Sequence, residues 1–415
     1  MKRVAAFILG VSLTLGALPA KSWAQNDWPQ WRGPNRDDVS KEKGLLKQWP
    51  EGGPKRLWLN QDGGLGYAGF AIAKGKLFTM GAWNQEEFLI CLDANTGKQQ
   101  WKAPLGGRLA NKWGDGPRGT PAVDGDMVYA LGGDGTLLCV SFADGKQIWK
   151  TTMKELGGKT PNWGYTESVL VDGDKVLCTP GGSKGTMAAL DKKTGKLVWQ
   201  TTEWTEGAHY SSIVPTDLNG KRQYIQLVMN TLAGVDAATG KVLWRSPWPP
   251  GKTAVIPTPI VKDNFVYITS GYGAGCKQVK VGPDNSVTDV YENKVMKNHH
   301  GGVVLVGDYL YGNSDGPGLV CQDFKTGEEV WSSRMMAKGA VSYADGMLYC
   351  LEEGSGTLRL VEATPKGWNE KGSFKLEPQT TQRSPQGRIW THPVICNGKL
   401  YLRDQEIILC YDVKK

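Results

Sequence analysis

The chain has no adjacent cysteine pair, no Cys-x-x-Cys-His run and no cysteine or histidine spacing of a zinc site, although it carries 8 cysteines. These absences exclude a c-type haem and a structural zinc as readings. Long amphipathic helical periods are missing, which removes the helical fold classes. Beyond the first residues no apolar run is long enough to span a membrane. Charge of one sign forms no block: the formal charge is +8, but the lysines are dispersed over turns. Such dispersal reads as a solvated surface, not as a nucleic-acid footprint. No nucleophile–base motif of a hydrolase is present.

What the chain does have is a repeated nine-residue unit, Asp191-Lys-Lys-Thr194-Gly195-Lys196-Leu-Val-Trp199. It reads as a strand end, a tight turn and a new strand opening on a tryptophan. The Asp and Thr side chains bond turn backbone, and Gly takes positive φ without steric cost. The same unit stands at Asp93–Trp101, Asp236–Trp244 and Asp323–Trp331, with a variant at Ser141–Trp149. Tyr291 and Phe374 fill the Trp slot in two degenerate copies, and Trp58 fills it near the N-terminus without a turn unit before it. The slots are spaced by 43, 48, 50, 45, 47, 40 and 43 residues. A period of this length with several short strands predicts a β-propeller.

One predicted blade runs Thr120–Val123, Met127–Leu131, Thr136–Val140 and an outer strand at Ile148–Trp149. Asp124-Gly-Asp126 lies between two of these strands and reads as a hairpin turn, not a calcium loop. The C-terminus supplies only three strands, around Trp390–Val394, Lys399–Leu402 and Ile407–Tyr411. The orphan strand around Trp58 is expected to complete that blade, pairing edges that would otherwise be exposed. The expected fold is all-β: an eight-bladed propeller of four-stranded blades, closed by an N-terminal outer strand.

Lys2 and Arg3, the apolar run Val4–Leu18 and the small-residue site Ser22-Trp23-Ala24 read as a signal peptide cut after Ala24. The expected domains are residues 1–24 as signal peptide, 25–53 as an extended segment packed on the propeller, and 54–415 as the propeller. The location is then periplasmic or secreted. In an exported chain cysteines suggest disulfides. Here Cys91, Cys139, Cys321 and Cys410 occupy one equivalent slot in separate blades, where other blades have Ala189 and Gly234. Buried free thiols fit that slot better than bridges. In residues 25–53, Trp28-Pro-Gln-Trp31-Arg32-Gly-Pro34 has no repeat counterpart. Its two tryptophans read as anchors docked on the propeller.

The Asp-x-x-Thr-Gly-Lys-x-x-Trp unit resembles the repeat of the pyrroloquinoline-quinone (PQQ) type propellers, over about Pro54–Lys415. That superfamily includes quinoprotein alcohol dehydrogenases and the propeller lipoprotein of the outer-membrane barrel-assembly machine. The opening Trp-Pro-Gln-Trp-Arg-Gly-Pro, with Lys297-Asn-His-His-Gly-Gly302 and Ile389-Trp-Thr-His-Pro393, is similar to an exported subgroup common in planctomycete-type bacteria. For the dehydrogenases the resemblance implies PQQ stacked on a tryptophan, a covering vicinal disulfide, and calcium with an Asp base. This chain has no vicinal cysteines.

All four histidines, His209, His299, His300 and His392, fall in segments that enter an innermost strand. Those entries ring one mouth of the central channel. Neighbouring entries carry Tyr67, Trp113, Arg118, Trp163, Tyr165, Glu167, Tyr210, Lys338 and Thr391. A funnel lined by His, Glu, Arg, Lys and aromatic residues is the candidate ligand site. Glu167 is the candidate base or calcium ligand. Adjacent strand residues point to opposite faces, so His299 and His300 are not expected to share a metal. The first functional reading is an exported monomer that binds or scaffolds a protein, peptide or glycan, with no nucleic-acid partner, no membrane span and no assigned cofactor or metal. The second is a PQQ-dependent alcohol or sugar dehydrogenase, with PQQ and calcium at the histidine-rich mouth.

Overall fold

The computed structural model describes residues 27–248 and 254–415. The predicted signal peptide and its cleavage site lie outside them. The described strands form eight antiparallel four-stranded sheets, one of them extended by a short fifth strand. Their innermost strands begin at Ala71, Ala122, Leu170, Val214, Ile260, Val303, Gly339 and Val394, and are numbered here as blades 1 to 8. Neighbouring innermost strands approach one another around the axis. This is the expected eight-bladed propeller. Blade 8 is completed by Arg56–Asn60, which pairs antiparallel with Ile407–Asp412 and sets Trp58 opposite Cys410.

The repeat unit explains how blades hold one another. In blade 3, Asp191 Oδ1 accepts bonds from Lys193 N (3.1 Å), Thr194 N (2.8 Å) and Thr194 Oγ1 (2.7 Å). This fixes a turn in which Gly195 takes φ +70°, a region where a Cβ is strained. The bare face of that glycine seats the tryptophan of the blade before it. Trp58 sits over Gly97, Trp101 over Gly145, Trp149 over Gly195 and Trp199 over Gly240. The indole N–H of Trp149 donates to Lys192 O (2.9 Å), and that of Trp58 to Ala94 O (3.2 Å). Each ring joins an apolar cluster shared by two blades, as Trp149 does with Tyr129, Val176 and Leu190. Burying one such ring is worth about 1.5–3 kcal/mol. Blade 5 has a degenerate turn, and Trp244 instead donates to Gln223 Oε1 of its own blade (2.8 Å).

All eight cysteines are buried, and no disulfide joins them. Arg403, fully buried in blade 8, donates to Ala68 O (3.2 Å), Met80 O (2.7 Å) and Gly63 O (3.1 Å). It locks the last blade to the first.

The N-terminal segment, expected to lie over the propeller, lies across its channel. Trp28 exchanges backbone bonds with Ile72 of blade 1 (2.8 and 2.7 Å), and Pro29 O accepts from Val123 N of blade 2 (2.8 Å). The Arg36 guanidinium donates to Ser168 O of blade 3 (2.7 Å). Trp31 Nε1 donates to Thr258 Oγ1 at the entry to blade 5 (3.0 Å), and Arg32 to Val303 O of blade 6 (2.6 Å). Asp38 accepts from Ser342 Oγ of blade 7 (3.1 Å), and its other oxygen lies 3.3 Å from His392 Nδ1 at blade 8. A segment that touches seven of the eight blades can only lie on the axis. Residues 27–38 therefore plug the channel. The chain then leaves along blade 7, where Val39–Ser40 pairs parallel with Tyr343–Ala344.

Candidate functional site

Over the plug, one mouth of the channel opens into a cavity of about 450 Å³. Trp31 and Arg32 form its floor, so it is a blind pocket and not a through channel. The walls come from two kinds of segment. Entries to innermost strands supply Tyr67, Trp113, Arg118, Trp163, Tyr210, His299, His300, Lys338, Trp390, Thr391 and His392. Turns between the second and third strands of blades 5 and 7 supply Tyr272 and Glu353.

Ten of the residues predicted at the mouth line this cavity together: Tyr67, Trp113, Arg118, Trp163, Tyr210, His299, His300, Lys338, Thr391 and His392. Three others, Tyr165, Glu167 and His209, stand behind the wall. The cause is the alternation of an extended chain. Thr166 and Ser168 face the cavity, so Tyr165 and Glu167 face away; Tyr210 and Ser212 face it, so His209 does not. Tyr165 is core, its hydroxyl donating to Pro180 O (3.1 Å). Glu167 is 1% exposed and accepts from Thr179 N (2.6 Å) and Thr179 Oγ1 (2.9 Å). Burial pushes its carboxyl up to about 7, against the Thr179 hydrogen bonds and the charge of Arg36. His209 Nδ1 accepts from Val255 N (3.2 Å), and burial pulls its imidazole down to about 4.

His299 and His300 both reach the cavity because they sit in a loop, not a strand; their ring centroids are 5.2 Å apart. Each has a different partner. Lys338 Nζ donates to His299 Nδ1 and pairs with Asp315 (3.3 Å). Burial, then the charges of His300 and Lys338, pull the His299 imidazole down to about 3. His300 Nε2 meets Glu353 Oε2, which also accepts from Trp390 Nε1 (2.8 Å). Burial lowers His300, and the Glu353 hydrogen bond only partly offsets this. Burial would raise Glu353, but the bonds from His300 and Trp390 and the Lys338 charge hold it below the usual carboxylate value. His392 Nε2 donates to His300 O (2.9 Å). These contacts tie the plug, through Asp38 and His392, to the wall of the pocket.

The arginines of the wall are different. Arg118 lies over the Tyr67 ring (4.9 Å) and donates to Gly114 O (2.7 Å). Its Nε is buried without a partner. Arg388 is exposed at the rim and donates to Gly387 O (2.7 Å) and Pro385 O (3.3 Å). The aromatic residues cluster in pairs: Tyr67 with Trp390 (4.9 Å), Trp163 with Tyr210 (5.7 Å) and Tyr272 with His299 (4.5 Å).

This wall does not fit a quinone held by calcium. Its carboxylate is Glu353, already bonded by His300 and Trp390. Calcium takes six to eight oxygen ligands, and among the described residues no group of three or more His, Cys, Asp or Glu side chains is placed to hold a metal.

Comparison with known proteins agrees with the fold. The family model described as outer membrane protein assembly factor BamB matches residues 52–149, 85–333 and 285–410. BamB of Kangiella koreensis is 27% identical over 193 residues, which is 45% of this chain and 44% of that protein. The tetrathionate hydrolase of Acidithiobacillus ferrooxidans is 27% identical over 192 residues, 43% of this chain and 37% of that protein. The chain thus spans less than half the length of these two curated relatives. Among solved structures, BamB from Moraxella catarrhalis superposes with a TM-score of 0.60 at 15% identity, covering 87% of this chain and 98% of that one. Quinohemoprotein alcohol dehydrogenase from Comamonas testosteroni gives 0.65 at 12% identity, covering 94% and 81%. With the repeat, the eight blades and a family match running from residue 52 to residue 410, the chain belongs to the PQQ-like repeat β-propellers, the family that includes outer membrane protein assembly factor BamB.

Proposed function

We propose that the protein is a binding or scaffolding module whose ligand, an exported protein, peptide or glycan, docks in the mouth cavity. The observation that carries this reading is the blind, aromatic pocket closed by the chain's own N-terminal segment. Its histidines and its carboxylate are engaged with one another: His299 with Lys338, His300 with Glu353, His392 with Asp38. Groups fixed in this way shape and polarise a pocket; none is left as a free base beside a reactive centre. Membership in the same family as relatives named assembly factors supports a binding role. The protein acts as a monomer outside the cytoplasm, after cleavage at Ala24, and falls in the exported subgroup marked by its Trp-Pro-Gln-Trp opening.

The test uses protein lacking residues 1–24. It is titrated with PQQ and calcium while dye-coupled oxidation of a panel of alcohols and sugars is followed. In parallel, tryptophan fluorescence is followed against oligosaccharides and short peptides. The proposal expects saturable quenching by a member of the second panel and no dye reduction. Turnover that depends on PQQ would make the protein a quinoprotein dehydrogenase instead.

A further inference from the structure

The two arginines of the wall narrow the class of ligand, on the reading that the cavity is a binding site. Lys338 is balanced by Asp315 at 3.3 Å, and Glu353 is held by His300 and Trp390. Arg118 and Arg388 form no ion pair among the described residues and donate only to backbone carbonyls. A guanidinium has five N–H donors, so each keeps donors for a ligand. Both belong to segments that meet Tyr67. Arg118 covers the Tyr67 ring, and Gly387, the neighbour of Arg388, lies so close that a Cβ there would stand 2.7 Å from the Tyr67 hydroxyl. Two guanidinium groups without an ion-pair partner among the described residues therefore belong to the part of the wall that holds the Tyr67–Trp390 pair.

The rest of the wall argues against main-chain recognition. Peptide ligands commonly add a strand to a free sheet edge. Here the plug already holds inward-facing backbone groups of the innermost strands, among them Ile72 N, Val123 N, Val303 O and Tyr343 N. What remains for a ligand is side-chain chemistry: flat aromatic faces and two unpaired guanidinium groups. Sugar rings present apolar C–H faces to aromatic planes, and a carboxylate matches the guanidinium fork. The volume of about 450 Å³ is within the range of small-ligand pockets. We propose that the mouth cavity binds an acidic saccharide, with a uronic acid carboxylate held by Arg118 and Arg388 and a sugar ring stacked on Trp390.

The experiment measures tryptophan quenching with short galacturonate, glucuronate and mannuronate oligosaccharides, and with the same sugars as neutral methyl esters. A peptide of similar size with a free C-terminal carboxylate is the third arm. Expected is saturable binding of at least one acid, about ten-fold or more tighter than its ester, and weakened by added salt. Arg118→Gln and the rim variant Arg388→Gln should each lower that affinity by about ten-fold, with melting temperature checked for Arg118→Gln. Lys262→Gln, at the end of the innermost strand of blade 5 away from the mouth, where it pairs with Asp308 (2.9 Å), should leave it unchanged. Equal binding of acid and ester, preference for the peptide, no binding by any acid, or no effect of Arg388→Gln in the folded protein would overturn the proposal. Binding of esters or peptide would still leave a binding module.

Discussion

Trp149 of blade 2 lies on Gly195 of blade 3, so close that a Cβ on the glycine would stand 2.7 Å from the ring. The repeat is therefore a relation between blades: the turn glycine of one unit is the seat for the tryptophan of the previous unit. The relation extends even to the closure. Phe374 of blade 7 has no following turn unit, and Gly53 of the N-terminal segment takes that place, with a Cβ distance of 2.5 Å. The strand that completes blade 8 thus arrives with its own seat for blade 7.

A pair of glycine variants separates this seat from backbone strain. Gly125 has φ +60° and open space where a Cβ would be. Gly125→Ala is expected to cost about 1 kcal/mol, the left-handed penalty alone. Gly195→Ala carries that penalty and also displaces Trp149, adding about 1–3 kcal/mol. Urea midpoints of the two variants check this; equal shifts would deny the seat.

Arg403 tests the closure. It is fully buried and donates to six acceptors: Gln405 O, Ala68 O, Thr79 Oγ1, Met80 O, Gly63 O and Gly64 O. Arg403→Met keeps much of the volume but strands buried carbonyls, and should cost about 3–5 kcal/mol. Arg403→Lys, without the fork, should recover only part of that loss. Thermal melts of the three proteins give the order.

Two groups behind the wall give opposite pH signatures. Glu167 is pushed from 4.5 up to about 7, so its contribution is full below its unfolded value and is lost as pH rises through about 7. His209 is pulled from 6.5 down to about 4; its contribution is full above 6.5 and is lost as pH falls toward 4. Relative to wild type, Glu167→Gln should gain stability with rising pH over the first window, and His209→Gln with falling pH over the second. Urea unfolding across both windows reads the differences.

The plug should resist protease. Arg32 and Arg36 are each 2% exposed, whereas the Lys43 side chain is 78% exposed. Trypsin under native conditions should cut after Lys43 and spare the bonds after Arg32 and Arg36, as read by mass spectrometry. Early cleavage after Arg32 would mean the segment is not held in the channel.

The fold was legible because the repeat is periodic and the last blade lacks one strand. Trp58 could be matched to that gap by spacing alone. The mouth was legible in part. Innermost-strand entries lie on one face, but so do the turns between second and third strands, by the same up-and-down path. That rule reaches Tyr272 and Glu353, which spacing of the tryptophans does not. Alternation along residues 165–168 and 209–212 explains why Tyr165, Glu167 and His209 stand behind their neighbours. The plug was not legible, since residues 27–38 have no repeat counterpart, and composition does not say whether a Trp- and Arg-containing strip lies on a propeller or within it.

If ligand enters the mouth above Trp31, binding should shield that mouth from solvent. Hydrogen–deuterium exchange of the protein, free and saturated with the uronate oligosaccharide that quenches most strongly, tests it directly. Slower exchange confined to residues 108–118, 162–168 and 386–392 is the predicted result. Protection on the outer strands instead, such as Leu197–Gln200, with the mouth unchanged, would contradict it.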